Sequence, residues 1–311
     1  MKILITGGAG FIGSNLCRHA VEAGHDVTVL DDLSTGHEDN IDVNRVAFVR
    51  GSITDPDAVD QALIGVDAVI HLAALGSVPR SVKDPVTSHH VNIDGTLTVL
   101  ERMRHNDVSQ LTFASSSSVY GKNPAMPKDE RQWVRPISPY AVTKLASEQY
   151  VLAYQESYGF STTAFRFFNV YGPGQRPGHA YAAVIPIFLN AVLRGEPLPV
   201  NGSGEQSRDF TFVDTVCQVL LASATERMRH DEPINLAFGT NTSILQLTEL
   251  IAEITGIATQ VEHREARLGD VPHSQAANER LRAAFPSVRP VPLEDGVRQT
   301  WEWMQHFRAA E

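Results

Sequence analysis

The chain has 311 residues, of which 42% are apolar and 20% are charged, a balance typical of a globular protein and not of a disordered or fibrous one. The formal net charge of −10 argues against wholesale binding of nucleic acid or of an anionic membrane surface. Two cysteines are too few for a disulfide framework and favour a cytoplasmic protein, and no apolar run approaches the roughly 20 residues of a membrane span.

The first half of the chain alternates short apolar runs with longer amphipathic ones. Because the short runs lack polar alternation, we expect strands buried on both faces, joined by helices into a doubly wound, Rossmann-type parallel α/β sheet. The predicted strands are 2–6, 26–31, 46–50, 68–73, 111–116 and 162–168, and the predicted helices are 12–23, 56–64, 85–105 and 139–158.

Glycines and prolines crowd residues 172–178 and indicate a loop at which the structural role of the chain changes. We therefore predict a dinucleotide-binding domain over residues 1–168 and a smaller substrate-binding domain over 169–311. Two short apolar pieces, 208–214 and 234–238, are candidates for a return to the first domain. The later predicted helices are 182–194, 213–225, 243–255, 275–284 and 293–307.

The first predicted strand runs directly into a glycine-rich turn with glycines at 7, 10 and 13, around Phe11 and Ile12. A turn without side chains lets the backbone approach a pyrophosphate, and the next helix offers its free N–H groups. Asp31 follows Gly13 by 18 residues, near the position of a carboxylate that binds ribose hydroxyls and repels a 2′-phosphate. This pattern favours NAD over NADP. The alternative is that Asp31 and Asp32 only cap a turn.

The fifth predicted strand ends in a run of four serines, 115–118, and Tyr140 and Lys144 share one face of a later helix. A free phenol has a pKa near 10, and lowering it by about 3 requires about 4 kcal/mol. A lysine cation and a positive nicotinamide ring would supply that in a site shielded from water. Tyr140 then acts as a general base toward a sugar hydroxyl, assisted by Ser116. The alternative is a surface tyrosine and lysine on an amphipathic helix.

These motifs together resemble the extended short-chain dehydrogenases/reductases, and within them the sugar-nucleotide epimerase/dehydratase family, over essentially the whole chain. The resemblance implies that Ser116, Tyr140 and Lys144 are catalytic. Dehydratase members have Asp-Glu directly after the catalytic Ser/Thr, and decarboxylase members have a Glu at the second of these two positions. In this sequence the two positions are Ser117 and Ser118, so the resemblance implies epimerisation. The segments 74–81, 91–95, 181–186, 204–210 and 267–274 are most similar to UDP-hexose 4-epimerases, those acting on UDP-N-acetylglucosamine above all.

The resemblance also implies which residues contact the ligands. Ser52 stands where the family has an Asp on the adenine amine. The implied cofactor contacts are Gly7, Gly10, Phe11, Ile12, Gly13, Asp31, Asp32, Ser52, Ile53, Leu72, Ala73, Ala74, Tyr140 and Lys144. The implied substrate contacts are Ser77, Ser116, Asn169, Arg208, Arg267, Asp270 and Ser274.

Two of the implied substrate contacts, Arg208 and Arg267, have the charge and shape to hold a diphosphate. By the same resemblance, Ser274 stands at the position that limits the pocket beside the sugar's 2-substituent in this family, and its small size implies room for an N-acetyl group. The alternative role for Ser274 is a helix cap. An Asp common a few residues further on in the family is Ala277 here.

We therefore expect an NAD-dependent UDP-hexose 4-epimerase that works through a 4-keto intermediate, without a metal. The resemblance implies a homodimer, for which helices 85–105 and 139–158 carry enough apolar residues. Two other functions stay open: a UDP-uronic acid 4-epimerase, with Arg80 or Arg176 at the sugar carboxylate, and a catalytically silent NAD-binding sensor.

Overall fold

The computed structural model describes residues 1–177, 183–265 and 273–310, without the side chains of 308–310. Two compact units are present. The first comprises Met1–Pro124, Glu130–Phe167 and Cys217–Asn235, and the second comprises Ala125–Asp129, Phe168–Val216 and Leu236–Glu311. Within the described ranges, no helix combines the length and the apolar character that crossing a membrane requires.

Thirteen strands occur among the described residues. They are β1 (Lys2–Thr6), β2 (Asp26–Asp31), β3 (Ala47–Arg50), β4 (Ala68–His71), β5 (Gln110–Ser116), β6 (Ser161–Phe167), β7 (Val170–Tyr171), β8 (Leu198–Asn201), β9 (Ser207–Arg208), β10 (Thr211–Phe212), β11 (Ile234–Leu236), β12 (Thr242–Ser243) and β13 (Val261–Arg264). Seven form one sheet in the order β11-β6-β5-β4-β1-β2-β3, and β1 to β6 pair in parallel. This order confirms the predicted doubly wound sheet.

Eleven α-helices lie between and after these strands in the described ranges. They are α1 (Phe11–Glu22), α2 (Pro56–Leu63), α3 (Val78–Lys83), α4 (Pro85–His89), α5 (Gly95–His105), α6 (Pro139–Tyr158), α7 (Val184–Arg194), α8 (Val213–Thr225), α9 (Ile244–Thr255), α10 (Glu279–Ala284) and α11 (Leu293–Ala310). A π-helical turn over His90–Asp94 joins α4 to α5, so the predicted helix 85–105 is interrupted by a wider turn.

The predicted helix 275–284 is wrong in its first turn. Residues 275–277 run extended because their backbone pairs with Lys128: the Lys128 N–H donates to the Gln275 carbonyl at 2.8 Å, and the Ala277 N–H donates to the Lys128 carbonyl at 2.9 Å. The helix begins only at Glu279.

The core of the first unit lies between the central strands and the helices that cover them. Leu4, Leu100, Phe113 and Val151 are at most 1% exposed and belong to one cluster. Strands β1, β4 and β5 are buried on both faces, which explains the uninterrupted apolar runs 3–5 of β1 and 68–70 of β4. The burial fixes the carboxyl ends of these strands, where ligands bind in doubly wound sheets.

A separate core holds the second unit together. Phe188 of α7, Leu247 of α9 and Met304 of α11 are buried in one cluster, with Trp301 beside them. Residues 208–214 pair within this unit, β9 with β12 and β10 with β7, whereas Ile234–Leu236 forms the edge strand next to β6.

Candidate active site

The glycine turn after β1 is shaped by its own backbone. Gly7 has φ of +72°, and a Cβ there would lie 2.8 Å from the Ala73 nitrogen. A Cβ at Gly13 would lie 2.2 Å from the Gly7 carbonyl oxygen. The Gly10 N–H donates to that same oxygen at 3.1 Å. Gly7 and Gly13 are therefore required for the turn to close, before any ligand is considered.

Gly10 differs from these two glycines because the protein's own packing does not require it. Its φ of −78° and ψ of 175° suit any residue, and a Cβ there would meet only the Gly7 oxygen, at 3.2 Å. In the described part of the chain, no side chain caps α1 at Gly10, and the first turn has no acid. A bare helix N-terminus beside an open glycine fits an anionic group such as the NAD pyrophosphate.

Asp31 ties the end of β2 to the glycine turn. Its Oδ2 accepts the Ala9 N–H at 2.9 Å and its Oδ1 accepts the Leu33 N–H at 2.8 Å. Burial raises the pKa of this carboxyl, and the two backbone hydrogen bonds oppose the rise. Asp32 accepts the Ser34 N–H at 2.9 Å. Both acids thus cap turns, and the Asp31 oxygens keep lone pairs for a ribose hydroxyl.

The other implied cofactor contacts lie at the ends of β3 and β4. The Ser52 hydroxyl bonds the Thr54 hydroxyl at 2.8 Å. Ile53 is 4% exposed, and its side chain lies in the core against Gly95, so it can offer a ligand only its backbone. Leu72, Ala73 and Ala74, which follow β4 directly, are half-buried.

His71 is a core histidine with both ring nitrogens bonded, at 2.6 Å to the Thr6 hydroxyl and at 3.1 Å to the Thr96 hydroxyl. Burial lowers its pKa to about 3, and the Lys144 charge acts in the same direction. The ring is therefore neutral at pH 7.

Ser116 and the Tyr140–Lys144 pair meet at the carboxyl end of β5. Ser138 caps α6 by accepting the Ala141 N–H at 3.2 Å, which starts the helix at Pro139. Lys144 Nζ donates to the Ala114 carbonyl at 2.8 Å, and burial lowers its pKa to about 8. Tyr140 shares a hydrogen bond with Ser116. Lys144 is 5% exposed, so the alternative interpretation, in which this lysine lies on the surface of the helix, is wrong.

The pKa of Tyr140 differs from the sequence-based expectation. Burial raises it above the value of a free phenol, and only the hydrogen bond with Ser116 works in the lowering direction. Burial penalises a phenolate, while the Lys144 ammonium is held at the Ala114 carbonyl. Acidification of Tyr140 therefore needs a positive charge beyond that of Lys144.

Two of the implied substrate residues, Asn169 and Arg208, line a cavity of about 180 Å³ in the second unit. Its wall also contains the aromatic rings of Tyr171, Phe188 and Phe210. An apolar wall with a guanidinium and an amide suits a ligand that combines a flat ring with an anionic group.

The remaining implied substrate residues do not line this cavity among the residues that the structure describes. Ser77, in the first unit, caps α3 by accepting the Arg80 N–H at 3.2 Å. The next helix in the described part of the chain, α10, has Asn278 and not Ser274 at its N-cap. The Ser274 N–H donates to the Ser207 carbonyl beside Arg208 at 3.0 Å. Arg267 and Asp270 lie outside the described residues.

Residues 3–237 match the NAD dependent epimerase/dehydratase family. The chain belongs to that family. It is 36% identical to the UDP-glucose 4-epimerase of Mycolicibacterium smegmatis over 312 residues, 98% of this chain and 99% of that protein. The UDP-N-acetylglucosamine 4-epimerase of Methanobrevibacter ruminantium M1, solved with UDP-N-acetylmuramic acid, superposes with a TM-score of 0.93 at 36% identity, over 98% of each chain.

The family is named for NAD, the cofactor that the sequence predicted, but its members catalyse more than one reaction. The chain is also 33% identical to the dTDP-glucose 4,6-dehydratase of Streptomyces niveus, over 99% of this chain and 94% of that protein. Membership of the family therefore does not by itself determine which reaction this chain catalyses.

Sequence reasoning missed a buried network directly behind Ser116. The Ser115 hydroxyl donates to Glu148 at 2.6 Å, and Arg166 donates to both Glu148 oxygens, at 2.7 and 3.0 Å. Both partners of this ion pair are at most 4% exposed. The signal was an arginine inside the apolar strand 162–168 and an acid one helical turn after Lys144. The network anchors α6 to β5 and β6.

Asp209 is a second missed residue, in the unit that carries the cavity. It is fully buried, next to Arg208 in sequence, and its carboxylate accepts the N–H groups of Gly239, Thr240 and Ala276 at 3.0 to 3.1 Å. Burial raises its pKa, and these hydrogen bonds oppose the rise. Asp209 holds two loops in place around the strand that presents Arg208.

Proposed function

We propose that the chain is a UDP-hexose 4-epimerase that interconverts UDP-N-acetylglucosamine with UDP-N-acetylgalactosamine, and UDP-glucose with UDP-galactose. The observation that carries this proposal is that no acid–base pair directly follows Ser116 in the sequence. Serines, and not an acid–base pair, occupy positions 117 and 118, where dehydratases are expected to hold Asp-Glu. Such a site can move a proton on and off a sugar hydroxyl but lacks the groups to expel water.

The proton chemistry follows from the contacts at the end of β5. Tyr140 takes the proton of the sugar's 4-hydroxyl, and Ser116, hydrogen-bonded to it, assists the transfer. Lys144, with a pKa of about 8, is mostly protonated at pH 7 and adds positive charge to this region. Held at the glycine turn of Gly7, Gly10 and Gly13, NAD would supply the hydride acceptor and donor for C4 and the positive ring charge that the buried phenol lacks. Hydride returned to the opposite face of the 4-keto sugar would invert the centre.

The same proposal assigns the cavity of the second unit to the nucleotide end of the substrate. Arg208 offers a guanidinium to the diphosphate, whose charge this acidic protein must offset locally. The rings of Phe188 and Phe210 pack against the uracil. Ser274 is small and is held beside Arg208 through Ser207, which supports acceptance of an N-acetyl group.

The test is incubation of the purified chain, without added NAD, with UDP-glucose, UDP-N-acetylglucosamine and UDP-glucuronic acid, followed by chromatography of the products. The proposal predicts the two 4-epimers of the first two sugars. The Tyr140→Phe variant should retain NAD but lose turnover by orders of magnitude, whereas Tyr158→Phe, at the exposed end of the same helix, should keep it.

Other products in this test would contradict the proposal and would each indicate a different function. Conversion of UDP-glucuronic acid alone would identify a uronic acid 4-epimerase, and a deoxy or pentose product would identify a dehydratase or a decarboxylase. A chain that retains NAD and converts none of the sugars would be a silent sensor.

We further propose that the chain forms a homodimer through α3, α4 and α6. Val82, Val86 and Val142 on these helices are 65%, 76% and 52% exposed, and the three helices pack against one another, which favours one shared apolar surface. Sedimentation should show a dimer, and Val86→Lys should shift it toward monomer; a monomeric native chain would contradict the assignment.

A further inference from the structure

The hydroxyl of Ser116 receives two hydrogen bonds from a single residue. Ser116 ends β5 and caps the 3₁₀ turn Ser117–Tyr120. Its Oγ accepts the backbone N–H of Ser118 at 3.2 Å and the side-chain O–H of Ser118 at 2.9 Å. The 3₁₀ turn thus brings both the backbone donor and the side-chain donor of Ser118 to that oxygen.

This arrangement decides which way the Ser116 proton points. A serine hydroxyl has two acceptor lone pairs and one donor hydrogen. With both lone pairs taken by Ser118, the hydrogen is directed to the remaining partner, the Tyr140 oxygen. The hydrogen bond from Ser116 lowers the pKa of Tyr140, as expected for a donor that stabilises a phenolate.

We propose that Ser118 is a positioning residue that fixes the Ser116 hydroxyl as a hydrogen-bond donor to Tyr140. The effect that we expect on turnover rests on the proposed epimerase function. Ser118 touches neither the phenol nor a reacting atom; it acts through Ser116. Without its hydroxyl, the Ser116 proton is free to rotate away from Tyr140, and the phenolate loses part of its stabilisation.

The kinetic test uses Ser118→Ala. We expect kcat to fall about fivefold, the factor that corresponds to a net hydrogen-bond contribution of about 1 kcal/mol, with KM unchanged. The acid limb of the kcat/KM profile should move to higher pH, because Tyr140 becomes harder to deprotonate. Ser118→Thr, which keeps a hydroxyl, should restore the native profile.

Two further variants separate this role from a structural one. Ser118→Asp introduces an ionised carboxylate that only accepts, draws the Ser116 proton away from Tyr140, and should lower kcat more than Ser118→Ala does. Ser117→Ala, on the same turn, should leave kcat and the pH profile unchanged. A native pH profile in Ser118→Ala, or an equal loss in Ser117→Ala, would overturn the proposal.

A second readout is independent of the substrate. Near-ultraviolet titration of the native chain minus its Tyr140→Phe variant reports the ionisation of Tyr140 alone. The same difference in the Ser118→Ala background should give a higher pKa for Tyr140; an unchanged value overturns the inference. If the native chain converts no UDP-sugar, the epimerase proposal fails, and this titration still decides the role of Ser118.

Discussion

Gly10, the N-cap of α1, and Gly13, within the first turn of α1, should respond differently to substitution by alanine. Gly10 has an ordinary backbone conformation, and a Cβ there meets one atom at 3.2 Å. Gly13 has no such room, because its Cβ would lie 2.2 Å from the Gly7 oxygen and 2.6 Å from the Gly8 Cα, both backbone atoms. If the space beside Gly10 belongs to the NAD pyrophosphate, Gly10→Ala should damage binding without damaging the fold.

The magnitudes follow from these contacts. Gly10→Ala should change the free energy of unfolding by no more than about 1 kcal/mol, because the weaker helix cap and the reduced unfolded-state entropy oppose each other. Displacing the pyrophosphate from one backbone donor costs about 1.5–3 kcal/mol, so the Kd for NAD should rise about 10- to 150-fold. Gly13→Ala must displace backbone and should lose about 1–3 kcal/mol or more of stability as well.

The assay pairs urea unfolding with calorimetric titration of NAD into protein freed of cofactor. The expected pattern is a binding defect alone in Gly10→Ala and a combined defect in Gly13→Ala. A Gly10→Ala variant that binds NAD as tightly as the native chain would refute the placement of the pyrophosphate at this turn.

Three more predictions concern buried ionisable groups. Folding lowers the pKa of His71 from 6.5 to about 3, so the stabilisation from the neutral buried ring is complete above pH 6.5. As the pH falls from 6.5 toward 3, the native chain should lose up to about 5 kcal/mol of its free energy of unfolding. In urea unfolding, the free energy of the His71→Gln variant should depend less on pH over this range. Glu148→Ala leaves Arg166 as an uncompensated buried charge and should cost about 3–5 kcal/mol in thermal unfolding, most of it recovered in a Glu148→Leu/Arg166→Met double variant. Turnover should decline as pH rises through about 8, where Lys144 loses its charge, and the activity left in Lys144→Arg should lack this alkaline decline.

The parts of the fold that the sequence predicted are those in which local pattern and burial agree. The centre of β1, residues 3–5, is an apolar run because both faces of the strand are covered, and the glycine turn could be recognised because its backbone leaves no room for a side chain at Gly7 or Gly13. The start of α6 was equally readable, since a serine cap and a proline precede Tyr140.

What the sequence could not predict depends on partners distant along the chain. Residues 275–277 are extended because Lys128, far away in sequence, pairs with their backbone. The Glu148–Arg166 pair joins a helix to a strand and leaves no local pattern. The direction of the Tyr140 pKa shift depends on burial and on where the Lys144 ammonium points, which the i,i+4 spacing alone does not determine.

The central claim is that the chain inverts C4 of a UDP-hexose by removing and returning the same hydride. The most direct measurement is incubation with UDP-glucose deuterated at C4, in ordinary water and without added NAD, with mass and NMR analysis of the product. The account predicts UDP-galactose that retains the deuterium at C4. Inversion with loss of the label to water, or recovery of UDP-glucose alone, would contradict it.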